Sequence, residues 1–210
     1  MTELLFSLAI HKYKILSVFW NIFLALTPCF VVYFAAIPIG RKKWGALKNI
    51  DRMSFIILFL FWLLFFPNTA YLFTLPRHLV NLCADYGRTR ICFEEMWVVL
   101  FFFTYAVVGI PTFYYALNRM SRILGKIFFQ KLSVIFPIVM IPLTALGVLL
   151  GLFERFNTWQ IISQPWEIMK ASTFYFTFPI LLLNFLVFTA SLYLIYYGLD
   201  IFIWKIIKKK

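Results

Sequence analysis

Five stretches of this 210-residue chain run for 21 to 29 residues without Asp, Glu, Lys, Arg or His: 15–37, 53–73, 96–117, 132–153 and 171–199. A bilayer core about 30 Å thick is crossed by roughly 20 apolar residues at about 1.5 Å of helical rise each, so every stretch is long enough to span it. The run from Phe55 to Phe66 is apolar on all sides, whereas a membrane strand alternates polar and apolar residues. The expected fold is therefore all-α: a polytopic membrane helix bundle of about five transmembrane helices, forming one integral-membrane domain over residues 1–210. No segment between the spans reaches the size of a soluble domain, about 50 residues. The 29-residue final stretch exceeds a straight crossing and is expected to tilt. Pro28, Pro67, Pro111, Pro137, Pro142 and Pro179 lie within spans, where kinks are expected. Leu4 to Ile10 is too short to cross, so residues 1–14 are expected to lie along the interface. The 23-residue run beginning at Ile15 is longer than the apolar region of a cleavable signal, about 7 to 15 residues.

The charges that remain fall between spans, and their asymmetry fixes an orientation. Thirteen of the twenty Lys and Arg occupy residues 40–52, 118–131 and the basic tail 200–210; seven occupy the other side, together with six of the eight acids. The positive-inside rule places the thirteen in the cytoplasm, with the N-terminus outside and the C-terminus cytoplasmic. The excess of +12 thus reports topology and attraction to anionic lipids at the cytoplasmic face, and no nucleic-acid partner is expected. The expected location is the cell membrane, as a multi-pass protein. Trp44, Trp97, Trp159, Trp166 and Trp204 fall near span ends, where an amphipathic ring favours the interface.

Ion-coupled transporters and proton relays usually carry ionisable groups within their spans, and these spans have none. Asn21, Asn68 and Asn184 are the polar exceptions, with scattered Ser, Thr and Tyr; such groups most often hydrogen-bond between helices. No Walker loop, nucleophile elbow, HExxH or paired metal-ligand spacing is present, so no cofactor and no metal are expected. Phe59 to Phe66 and Phe101 to Phe103 are read as packing and lipid-facing aromatics. Cys29, deep in the first span, is read as a small apolar filler.

Two polar segments are expected at the outer surface. The second span loses its apolar character at Pro67-Asn68-Thr69, followed by Tyr71, Thr74, Arg77 and His78. The fourth span ends in Glu154-Arg155-Phe156-Asn157-Thr158-Trp159-Gln160. A polar group at the depth of Asn68 needs a partner. Arg155 can snorkel to the same height, so Asn68, Tyr71, His78, Arg155, Asn157 and Trp159 form a candidate outer-face binding cluster. The plainer alternative is that these residues tie two helix ends together. Cys83 and Cys92 flank a loop containing Asp85 and Gly87, which favour a turn that brings the two thiols together as a disulfide on the oxidising side.

The segments LFFPNTAYLFTLPRHL and GLFERFNTWQ resemble paired signatures, PNxPYxxTDLxHL and RFxRWNSWD, of an uncharacterised prokaryotic integral-membrane family, domain of unknown function 1361. The matching positions are Pro67, Asn68, Tyr71, Thr74, His78 and Leu79, then Phe153, Arg155, Asn157 and Trp159. Trp20-Asn21 with Pro28 also resembles the family's preceding span, and the likeness runs from about residue 13 to 170. Leu75 stands where the signature has Asp, Leu152 where it has Arg, and Gln160 where it has Asp. The resemblance implies either the joint loss of a salt bridge without a stranded charge or, if those Asp are catalytic, an inactive member. An initial span typical of the family is also missing by this reading.

Three functions fit these residues. The first is a non-enzymatic cell-envelope module whose outer-face cluster binds a headgroup or a membrane-protein partner. The second is an enzyme acting on a lipid-linked or envelope substrate, with His78 as acid or base and Arg155 holding an anionic group; Glu94, Glu95 or Glu154 would have to serve as its carboxylate. The third is a transporter or channel subunit in a homo-oligomer. The orientation is checked by reporter fusions. A fusion after Lys210 or within residues 41–50 is expected to give a cytoplasm-dependent signal, and one within 84–90 an export-dependent signal. Export of the Lys210 fusion would reverse the assignment of the two faces.

Overall fold

A computed structural model describes residues 15–39, 43–78, 96–156 and 160–208. The expected interfacial segment 1–14 and the Cys83–Cys92 pair lie outside the described residues. Among the described residues the chain is helical without strands: α1 (Ile15–Ile39), a 3₁₀ turn (Trp44–Ala46), α2 (Asn49–Phe65), α3 (Pro67–Tyr71), a second 3₁₀ segment (Leu72–His78), α4 (Met96–Ile127), α5 (Leu132–Phe153), α6 (Gln160–Ser163), α7 (Pro165–Thr177) and α8 (Pro179–Lys208). Four segments of this set are long and apolar enough to cross a membrane: Phe19–Ile37, Asn49–Pro76, Leu132–Phe153 and Pro179–Ile206. The stretch 96–117 lies within α4, which is 32 residues long. The expected span 171–199 is divided instead, because the chain leaves helical geometry at Phe178 and Pro179 opens α8 at its first position. Proline is suited to that position because its missing N–H has no intrahelical partner there.

Large apolar side chains cover the outside of the bundle, including Phe23, Phe30, Phe34, Ile57, Leu60, Val139, Leu183 and Leu194. Such a surface is stable against lipid tails and not against water. Inside, small residues bring the helices together: Ala25, Ala35, Ala70, Ala116 and Ala145 are fully buried. An aromatic ladder fills the space between them. Trp62 stacks on Phe66 at 4.4 Å, Phe66 on Phe113 at 5.5 Å, and Phe113 meets Phe73 edge-on at 5.9 Å. These contacts join α2, α4 and the second 3₁₀ segment.

Three of the internal prolines have hydroxyl groups beside them that act on the backbone. Thr27 next to Pro28 donates to the Phe23 carbonyl at 2.9 Å, Thr112 next to Pro111 donates to Val108 at 2.9 Å, and Thr144 near Pro142 donates to Met140 at 2.7 Å. Pro142 also removes the N–H that would have bonded the Ile138 carbonyl. That carbonyl accepts instead from the Tyr193 hydroxyl of α8, at 2.6 Å. A helix–helix contact thus occupies the backbone group that the proline freed.

The basic clusters separated in the sequence gather at one end of the bundle. Trp44 stacks on Phe128 at 5.2 Å, joining the turn after α1 to the turn between α4 and α5. Arg52 holds that turn: Nε donates to the Trp44 carbonyl at 3.2 Å, Nη2 to the Gly45 carbonyl at 3.1 Å, and the guanidinium lies 5.8 Å from the Trp44 ring centre. Trp204 is exposed near the same end with the Lys208 ammonium 3.9 Å from its ring.

The proline and tyrosine can be tested as a pair. Tyr193→Phe leaves the Ile138 carbonyl without its donor, costing about 1 kcal/mol, or roughly 3 °C in detergent melting temperature. In a Pro142→Ala background the restored N–H bonds Ile138 directly, and the same change is expected to cost little. An equal loss in both backgrounds would show that Tyr193 acts by packing alone.

Candidate functional site

At the end of the bundle opposite the basic clusters, the break after α2 uses its own polar residues. Pro67 ends α2 because it offers no N–H to the preceding turn. Asn68 then donates from Nδ2 to the Phe65 carbonyl at 3.1 Å, and Thr69 donates from its hydroxyl to Phe66 at 2.8 Å. Thr74 closes the next turn onto the Tyr71 carbonyl at 2.7 Å. Tyr71 is half-buried against the core. The partner that Asn68 requires is therefore local backbone. Gly147 of α5 lets this break pack tightly, since a Cβ there would stand 3.3 Å from Pro67 Cγ. This contact brings the two signature segments to the same end.

Arg155 follows α5 with φ 57° and an exposed side chain. It occupies the left-handed position after a helix that glycine usually takes. The side chain of His78, and Asn157 and Trp159, lie outside the described residues. Leu75 is 1% exposed, and Leu152 packs against the core. The signature's Asp and Arg positions are thus filled here by leucines among apolar neighbours.

A cavity of about 560 Å³ opens at the basic end, lined by Ala36 and Ile39 of α1, Arg119, Arg122, Ile123, Gly125 and Lys126 of α4, Gln130 of the following turn, and Ser133 of α5. Arg119, Arg122 and Lys126 are three and four residues apart, so they share one face of α4. The walls supplied by Ala36, Ile39 and Ile123 are apolar. Positive side chains over an apolar wall suit a ligand with a negative head and a greasy body.

Behind Arg122 runs a second polar stripe on α4. Arg122 Nε donates to Asn118 Oδ1 at 2.9 Å, Asn118 Nδ2 donates to the Tyr114 hydroxyl at 2.7 Å, and Tyr114 donates to Asp200 Oδ1 of α8 at 2.8 Å. The Tyr196 ring packs on Tyr114 at 5.5 Å. Sequence reasoning found Arg119, Arg122 and Lys126 as topology markers but missed Tyr114, Asn118 and Asp200. The available signal was the i, i+4, i+8 spacing of Tyr114, Asn118 and Arg122, which puts the three on one face of α4.

Residues 20–196 match a family described as a protein of unknown function, DUF1361. The chain belongs to this family. Its match spans both signature segments, the small-residue contact at Gly147 and the cationic face of α4. No curated protein and no solved structure matches the chain. Among the described residues no group of His, Cys, Asp and Glu is placed to hold a metal ion.

Proposed function

We propose that this family member is a non-enzymatic membrane module that holds the phosphate headgroup of an anionic lipid in its basic cavity, at the cytoplasmic face of a cell membrane. The observation that carries this reading is the convergence of Arg119, Arg122 and Lys126 on one cavity whose lining, among the described residues, includes no carboxylate. Arg offers a planar fork that matches a phosphate edge, and Lys a point charge. The apolar wall continues toward the lipid-facing surface of α1, where Tyr33, Phe34 and Ile37 are exposed. A headgroup in the cavity would therefore have acyl chains beside α1.

The test uses the full chain in nonionic detergent, offered phosphatidylglycerol and phosphatidylcholine, with bound lipid counted by native mass spectrometry. The wild type is expected to retain phosphatidylglycerol preferentially. Arg119→Gln with Lys126→Gln removes about 2 kcal/mol of attraction, a loss of roughly 25-fold in affinity. Equal retention of the two lipids, or an unchanged affinity in the double variant, would overturn the reading.

One observation favours a second reading at the opposite end. A non-glycine residue in the left-handed region costs about 1 kcal/mol or more, and Arg155 holds that conformation with its side chain exposed. The cluster built around Arg155 would then bind a headgroup or partner from the other face. Arg155→Gly relieves the strain and is expected to raise the melting temperature by roughly 3 °C. Under this reading it also strips copurifying lipid or protein seen with the wild type. An unchanged copurification profile would leave Arg155 without a binding role.

A further inference from the structure

We infer that Asp200 is a positioning residue for the anion site, orienting Arg122 through Tyr114 and Asn118; this rests on the reading of the basic cavity given above. The direction of every donor in the relay follows from one group. An ionised carboxylate accepts hydrogen bonds and cannot donate. It therefore draws the single hydroxyl proton of Tyr114, at 2.8 Å. The Tyr114 oxygen is then left as an acceptor, and the Asn118 amide presents Nδ2 to it at 2.7 Å. Asn118 Oδ1 consequently faces the other way, toward Arg122 Nε at 2.9 Å.

Two consequences follow for the guanidinium. Its Nε is occupied, so the two terminal nitrogens remain to meet an anion edge-on. The side chain is also held before the ligand arrives, which removes part of the entropy cost of binding. A carboxylate placed directly against Arg122 would hold it equally well but would compete with the anion. Routing the contact through a phenol and an amide transmits orientation while keeping the negative charge off the guanidinium. Without the carboxylate, Tyr114 is free to donate to Asn118 Oδ1. The amide then turns Nδ2 toward Arg122, setting donor against donor, and the guanidinium is released.

The Tyr114–Asp200 hydrogen bond also joins α4 to α8, so the decisive measurement is a double-mutant cycle and not a melting temperature. The full chain is titrated with phosphatidylglycerol in phosphatidylcholine nanodiscs. Asp200→Leu removes the carboxylate at an exposed position. Tyr114→Phe removes only the hydroxyl and keeps the ring on Tyr196. Each change is expected to weaken binding by about fivefold or more, the effect of losing a charge-assisted hydrogen bond. In an Arg122→Gln background each is expected to change affinity by less than about twofold. Equal losses in both backgrounds would mean that the residues merely hold two helices together, and would overturn the relay while leaving the cavity reading in place. A wild type with no preference for phosphatidylglycerol would overturn the cavity reading and the relay with it.

Discussion

A carbonyl freed by proline has no water to turn to inside a bilayer, and the way this chain meets that constraint organises its bundle. The clearest case is Ile138, left without its usual N–H by Pro142 and bonded by the Tyr193 hydroxyl at 2.6 Å. The contact fixes α8 against α5 by a polar bond between surfaces that are otherwise apolar. The turn that follows Pro67 is closed differently: the Thr69 N–H turns to the Phe66 carbonyl, and the Asn68 amide takes the Phe65 carbonyl that this N–H would otherwise have bonded. One proline draws a donor from a neighbouring helix, and the turn after the other is closed by its own residues. In lipid, close packing of small residues and a few interhelical hydrogen bonds set helix pairing together, and the Tyr193 contact is one of those few bonds.

The sequence makes the helical membrane class legible because it depends only on the length of charge-free runs. It also shows the separation of basic clusters, which reappears in space as one cationic end. The division of residues 171–199 at Phe178 is less visible, because a proline inside an apolar run reads equally well as a kink or as a new helix start. Asn68 shows the reverse difficulty. Its need for a partner is evident from depth, but whether that partner is a distant side chain or a carbonyl three residues away depends on where Pro67 ends α2. Asp200 lies beyond the last charge-free run and looks like an ordinary interfacial acid. Its pairing with Tyr114, 86 positions away, exists only after α4 and α8 are side by side.

The two ends of the molecule use polarity in different ways. Around Pro67 the hydrogen bonds are short-range and close on the backbone, and the signature's charged positions 75 and 152 hold leucines packed among apolar neighbours. At the cationic end side chains bond one another along α4 and, at Tyr114–Asp200, across to α8, and Arg119, Arg122 and Lys126 face open volume. Polar groups that satisfy one another locally leave little for a ligand. Cations that face a cavity with no carboxylate among its described lining leave a great deal.

Arg52 shows how a single positive residue carries two kinds of information. Its charge counts toward the asymmetry on which the expected orientation rests, a property the sequence carries before any tertiary structure exists. Its planar donors later gather the Trp44 and Gly45 carbonyls and cover the indole face. Lysine would supply the first function and fail the second, since an ammonium has no fork to span adjacent carbonyls. A chain with that one exchange would keep the same distribution of charge and still shape the α1–α2 turn wrongly. Charge and architecture are thus separable properties of the same side chain.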